Sequence, residues 1–366
     1  MQKELAIADN PTLESVYEAL LNAPSGEMSL VERDVELVIE YENESVSTIS
    51  YNPIRGVALV FNGEIHLLGG SSGDTKHYKW NGTEWVSVST LPYVFYGASA
   101  VVLNGEIHIL GSGGASSYYT AHYKWNGSSW TSVSTLPYNF LNGSAVVLNN
   151  EIHILGSSSS TTTQTYHYKW NGSSWVSVST LPYNLQNGCA VVLNNEIHIL
   201  GSGASSSYSI KHYKWSGSSW TSVSTLPFNF YYGCAVVLNN EIHILGGSGN
   251  NTAHYKWNGT EWESILELPY GLLYGCSTVF DNEIHIFGTS YASAYYTSHY
   301  KLNTALKKIS TYLKQKQKVF LPYDLSKIVP LSNCTKEEKN LVVNEDGVVE
   351  FGLDIEEDKV ILTVKG

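Results

Sequence analysis

The triplet Glu-Ile-His begins at Glu64, Glu106, Glu151, Glu196, Glu241 and Glu283, so the chain restates one unit at steps of 42, 45, 45, 45 and 42 residues. A fixed period in the range of about 20 to 50 residues restricts a chain to a solenoid, a propeller or an array, and the strand content of the unit decides among them. In the third copy, Ala145 to Leu148 is apolar on both alternating faces, as suits a strand buried on both sides, whereas Glu151 to Leu155 alternates. Asn149-Asn150 and Asn171-Gly172 supply residues that tolerate positive φ, and both are expected to form two-residue hairpin turns. Trp175 to Thr180 sets Ser and Thr between isolated apolar residues, the pattern of a solvated outer strand, and Pro182 ends it.

The unit therefore reads as a four-stranded meander that cannot bury its faces alone. Six such sheets around an axis bury both faces of every inner strand, which is the β-propeller solution. The expected fold is all-β: a six-bladed propeller over residues 44–302, with a small mixed α/β attachment domain built from residues 1–43 and 303–366.

The sixth copy lacks its last strand, since Leu302-Asn303-Thr304-Ala305-Leu306 replaces the Trp-Asn-Gly-Ser-Ser-Trp wording. Ser45 to Asn52 repeats the outer-strand wording ahead of the first copy and is expected to close the ring by completing the sixth blade. The alternative is that Lys307 to Thr311 forms its own fourth strand. The flanking segments read differently from the repeats. Leu13, Val16, Tyr17, Leu20 and Leu21 form a helical stripe, Val35 to Tyr41 reads as a strand, and Leu306, Ile309 and Leu313 share a second helical face. Residues 1–44 hold eleven acids and two bases, whereas residues 303–336 hold seven Lys and one acid.

The net charge of −12, with nine Lys and Arg against twelve acids in residues 45–302, argues against nucleic acid, which requires a basic stripe. No apolar run is long enough to cross a bilayer, and the start Met1-Gln2-Lys3-Glu4-Leu5 has no signal-peptide pattern, so synthesis in the cytoplasm without membrane insertion is expected. All twelve histidines recur in the repeat, on the second and third strands. A residue repeated in every blade suits the scaffold better than catalysis, and antiparallel pairing is expected to set Glu151 opposite Lys169 and His153 opposite His167. The Trp pairs, such as Trp170 with Trp175, read as packing between blades. Cys189, Cys234 and Cys276 share one repeat position and read as small buried fillers. No catalytic residues, cofactor or metal ligands are expected, because no unrepeated constellation of acids, bases or ligands stands out.

Variation between copies gathers in the connections from the second to the third strand and from the outer strand to the next blade, which emerge on one face. These connections are rich in Tyr, Asn, Ser and Thr, a composition of recognition surfaces. Their aromatic and amide residues are the candidate ligand-binding set: Tyr93, Phe95, Tyr96, Tyr118, Tyr119, Tyr138, Phe140, Tyr166, Tyr183, Gln186, Tyr208, Phe230, Tyr231, Tyr232, Tyr274, Tyr295 and Tyr296.

The inner-strand pattern, the Leu-Gly-Gly endings at Leu68 to Gly70 and Leu245 to Gly247, and the later Tyr and Trp resemble kelch repeats. The wording His-Tyr-Lys-Trp-Asn-Gly-Ser-Ser-Trp, followed by Ser-Val-Ser-Thr-Leu-Pro-Tyr-Asn, resembles kelch-like virion proteins of phages infecting Gram-positive bacteria. The resemblance implies a non-enzymatic recognition module of a tail, baseplate or capsid that binds a host-surface glycan or receptor. It further implies contacts with other virion proteins through the terminal segments, and homo-oligomers in the particle. Two alternatives accompany it: a structural virion component using the propeller for subunit contacts, and a sugar-active kelch enzyme, an oxidase or mutarotase.

Overall fold

The computed structural model describes residues 27–29, 43–71, 74–111, 119–157, 164–202, 207, 209–249, 251–288, 296–302, 318–320, 329–330, 339–343, 349–356 and 359–362. Among them there are strands and no helices. Six four-stranded antiparallel sheets follow one another along the chain. The third blade, typical of the set, runs Ser144–Leu148, Glu151–Ser157, Gln164–Trp170 and Trp175–Thr180 from inner to outer strand. Neighbouring inner strands contact one another all the way round, from Val57–Phe61 of the first blade to Cys276–Phe280 of the sixth and back to the first, so the ring is closed. The fold is a six-bladed β-propeller.

The sixth blade takes its outer strand from the other end of the sequence. Glu44–Thr48 pairs antiparallel with Ser298–Leu302, setting Glu44 opposite Lys301 and Ser47 opposite His299. Ile49 and Tyr51, just beyond that strand, are 1% and 4% exposed in the core between the sixth and first blades.

Between blades lies a repeated apolar layer. Leu59, Phe61 and Leu68 of the first blade pack with Ile107, Ile109 and Trp125 of the second, and Leu91, Tyr93 and Phe95 of the connecting segment fill the space between them. The Trp pairs belong to this layer: Trp125 and Trp130 set their edges against His77 of the preceding blade, at 5.5 and 5.8 Å between ring centres.

A chain of hydrogen bonds runs through the same layer. Trp175 Nε1 donates across the seam to Ser134 Oγ at 3.1 Å, Ser134 lies 3.0 Å from His122 Nδ1, and His122 Nε2 lies 2.8 Å from His108 Nδ1. The tryptophan only donates, so Ser134 Oγ accepts its proton and keeps one O–H and a second lone pair with which to meet His122. The same Trp–Ser–His–His relay crosses five of the six seams. At the seam between the fifth and sixth blades, Leu266 stands at the serine position and Asn43 at the tryptophan position, and Asn43 Nδ2 donates instead to the Glu267 carbonyl at 2.8 Å. Donor and acceptor are thus lost together. Replacing Ser134 by Ala is expected to cost about 1–3 kcal/mol in urea unfolding, because it strands a half-buried indole N–H and a buried imidazole nitrogen.

Two local expectations are corrected. The second and third strands pair with His153 opposite Lys169 and Leu155 opposite His167, two residues away from the expected register. A shift of two preserves the faces, so the expected partners meet diagonally: Lys169 Nζ reaches Glu151 at 2.8 Å and His153 Nδ1 reaches His167 Nε2 at 2.8 Å. Asn171-Gly172 is not a two-residue turn. Trp170 pairs with Trp175, leaving a four-residue loop in which Asn171 Oδ1 accepts from the backbone N–H groups of Ser173 and Ser174, each at 2.9 Å. The Asn149-Asn150 turn has φ of 52° and 62°, as a type I′ hairpin requires.

Residues 1–41 and 307–366 form a second compact unit, separate from residues 42–306. In it Glu27–Ser29 pairs antiparallel with Lys318–Phe320, and Val329–Pro330, Lys339–Val343, Val349–Glu356 and Lys359–Leu362 form a four-stranded antiparallel sheet in chain order. The helical stripes at Leu13 to Leu21 and Leu306 to Leu313, and the strand at Val35 to Tyr41, lie outside the described residues.

Candidate functional site

Each connection from an outer strand to the next inner strand reaches the variable face two residues before the inner strand begins. The residues there are Arg55, Gly97, Asn142, Asn187, Tyr232 and Tyr274, and all six have φ between 54° and 61°. Their backbones form a closed belt. The N–H of Gly97 donates to the carbonyl of Arg55 at 3.0 Å, Asn142 to Gly97, Asn187 to Asn142, Tyr232 to Asn187, Tyr274 to Tyr232, and Arg55 to Tyr274, each of these five at 2.8 Å. Asn and Gly enter the left-handed region readily, whereas Arg and Tyr do so at a cost of about 1–2 kcal/mol each. The belt hydrogen bonds and the close packing that follows offset that cost. A Cβ at Gly188, the residue after Asn187, would meet the Gly201 carbonyl at 2.4 Å. The first residue of the inner strand adds a stitch to the next blade: Cys189 Sγ donates to the Gly233 carbonyl at 3.4 Å and Cys234 Sγ to that of Gly275 at 3.2 Å. Cys189, Cys234 and Cys276 are free thiols, and burial pushes all three up, Cys234 to about 12.

A frame repeated six times carries side chains that are not repeated. The Arg55 guanidinium carbon lies 3.8 Å from the ring centre of Tyr274, 5.1 Å from that of Tyr96 and 5.6 Å from that of Tyr232. Arg55 Nη1 also donates to Asn142 Oδ1, at 3.5 Å. Asn142 and Tyr232 each sit two places from Arg55 around the belt, so side chains that meet Arg55 from both directions converge toward the axis. Gly97 leaves the room for this, because a Cβ there would stand 2.5 Å from Asn142 Oδ1. Tyr232 and Tyr274 are 4.2 Å apart between ring centres, and Tyr231 adds a third ring 5.2 Å from Tyr232. Burial and the hydrogen bond shared with Tyr232 push the Tyr274 hydroxyl up to about 12, against the opposing pull of Arg55, so it is a neutral donor and acceptor at pH 7. Arg55, Tyr96, Tyr231, Tyr232 and Tyr274 are all half-buried.

The candidate residues thus fall into three groups. Tyr96, Tyr231, Tyr232 and Tyr274 gather at the axis. Tyr93, Phe95, Phe140, Tyr183 and Phe230 are corrected: at 0 to 4% exposure they fill the layers between blades and present no surface to a ligand. Away from the axis, Tyr138 is held by its hydroxyl to the Gly156 carbonyl at 3.0 Å and stacks with Tyr166, which is 42% exposed. Tyr119, Gln186 and Tyr296 are half-buried. Tyr118, Tyr208 and Tyr295 lie outside the described residues. Arg55, Asn142 and Asn187 stand at this site and are not in the candidate set. A sequence signal for them exists, since each precedes a Gly at the foot of an inner strand.

The histidines have a different station. None of the twelve is more than 4% exposed, and burial lowers those on the second strands to about 4 and those on the third strands to about 3. All are neutral at pH 7 and committed to the scaffold. Among the described residues no group of three or more His, Cys, Asp and Glu is gathered where a metal ion could be held.

Fold and site together define a six-bladed β-propeller with an unrepeated polar constellation at the axis of its variable face, an architecture consistent with a recognition or binding module. The solved structure of YjhT aligns with 75% of this chain and 99% of its own at a TM-score of 0.61 and 15% identity, a likeness of fold alone. No family model and no curated protein matches the chain, so the kelch and virion resemblances rest on the residue patterns quoted for them.

Proposed function

We propose that the protein is a non-enzymatic recognition module carried on a phage particle, in a tail, baseplate or capsid, and that its variable face binds a glycan or other receptor on the host surface. The observation that carries this reading is the Arg55–Tyr96–Tyr232–Tyr274 cluster, a singular, half-buried set of aromatic and hydrogen-bonding groups on a belt that holds it rigidly. Rings of Tyr bury area at low entropic cost, and amides and hydroxyls answer sugar hydroxyls. The virion assignment rests on the resemblance of the repeat wording. On this reading residues 1–43 and 303–366 join the propeller to other virion proteins, and homo-oligomers form in the particle.

Labelled full-length protein is expected to bind intact Gram-positive host cells saturably. The double substitution Tyr232→Ala/Tyr274→Ala should weaken that binding about tenfold or more, as truncation of aromatic anchors does, whereas Lys169→Ala on a blade flank should leave it unchanged. Unaltered binding by the double variant overturns the reading. So does a particle in which the variable face is packed against neighbouring subunits, which would make the propeller a structural component.

A further inference from the structure

We infer that the axial cluster is an oxyanion site, and that the ligand of the variable face carries a carboxylate or a phosphate which Arg55 receives. This inference rests on the recognition reading above and specifies its chemistry.

The chain has two arginines, Arg33 and Arg55, and only Arg55 lies in the propeller. Of the eight lysines of the propeller, seven have a carboxylate within 3.5 Å, mostly the glutamate of their own blade flank; the eighth is Lys211. Arg55 has no carboxylate partner among the described residues. Its charge is met by the faces of tyrosines, the Tyr274 hydroxyl and one amide oxygen. A tyrosine face 3.8 Å away holds the guanidinium by the ring quadrupole and leaves N–H groups at its edge. Such a guanidinium, oriented in advance and partly desolvated, is suited to a planar carboxylate or a phosphate oxygen pair.

The belt contributes no negative charge of its own, since its members are Arg, Gly, Asn, Asn, Tyr and Tyr. Asp74, on the same face, is engaged by Ser71 at 2.9 Å and Lys76 at 3.5 Å. In a chain of net charge −12 an anion would be repelled from most of the surface, so an axial arginine without a carboxylate partner among the described residues selects where an anionic polymer docks. The neutral Tyr274 hydroxyl and the Asn142 amide stand at that point as groups that suit sugar hydroxyls. Uronic acids and glycerol or ribitol phosphates share this chemistry.

The small number of arginines makes a direct test available. In full-length protein labelled with 15N at arginine Nε, two side-chain signals are expected, and an Arg33→Lys sample assigns them. Titration at constant ionic strength with sodium glucuronate, with glycerol 1-phosphate and with glucose should move the Arg55 signal saturably with one or both anions and not with glucose. The anion that saturates at the lower concentration identifies the source. Arg55→Gln should weaken binding of the corresponding polymer about tenfold or more. Equal shifts with glucose and glucuronate, or shifts with both anions no larger than sodium chloride produces, overturn the inference. The wild-type titration decides even if Arg55→Gln fails to fold. Saturable cell binding with a silent Arg55 removes the anion site and leaves the recognition module standing, so the two failures are distinguishable.

Discussion

Lowering the pH from 7 to 4 is expected to unfold the propeller cooperatively. Burial holds every histidine far below its ordinary value, to about 4 on the second strands and about 3 on the third. The unfolded chain binds protons near pH 6.5 and the folded chain does not. Stability is therefore complete above about pH 6.5 and falls as the pH drops toward the folded values. Each buried histidine contributes a slope of up to about 1.4 kcal/mol per pH unit in that window. Twelve acting together exhaust a stability of about 5–15 kcal/mol within about one unit, which places the midpoint near pH 6. Near-UV circular dichroism of the tryptophan layer should collapse there in one steep transition that takes up several protons per molecule. A native spectrum retained at pH 4 would show that the imidazoles are not neutral and buried as described.

Deleting residues 1–50 is expected to prevent formation of a closed ring. The deletion removes the outer strand of the sixth blade, Ser47 from its place between Trp85 and His299 in the relay, and the 1%-exposed Ile49 from the core between the first and sixth blades. In the intact chain Ile49→Ala alone should cost about 2–5 kcal/mol. The neighbouring seam, between the fifth and sixth blades, lacks the tryptophans and serine that join the other five. Hydrogen exchange of the native protein should therefore be fastest across Cys276–Phe280 and Ser298–Leu302 among the inner and third strands. A truncated chain that melts at the full-length temperature would mean that the N-terminal strand does not close the ring.

Repetition made the architecture legible. Six returns of Glu-Ile-His, apolar inner strands and paired Asn turns are local facts, and a four-stranded unit that cannot bury its faces has few ways to do so except with copies of itself. The spare Ser45 to Asn52 wording and the missing last strand at Leu302 pointed to each other for the same reason. Register was less legible. Pairing His153 with His167 assumed that side chains in contact lie directly opposite, whereas long side chains meet diagonally as readily, and only the backbone decides which. The sorting of the variable residues also lay beyond the sequence. Tyr93, Phe95 and Phe140 look like surface aromatics in a connecting segment, yet the segment turns inward between blades and uses them as core.

The axial site separates the two kinds of knowledge most sharply. Arg55 is written in the chain as a single departure from a repeated text, while Asn142, Tyr232 and Tyr274 are variants at the same repeat position, and the sequence alone determines that the propeller holds one arginine. That these residues meet is a consequence of ring closure. They are separated by as many as 219 positions along the chain, from Arg55 to Tyr274, and come together because six left-handed backbone corners hydrogen-bond into one belt around the axis. A rotation operator that places equivalent corners side by side is a property of six packed blades, and no single unit contains it.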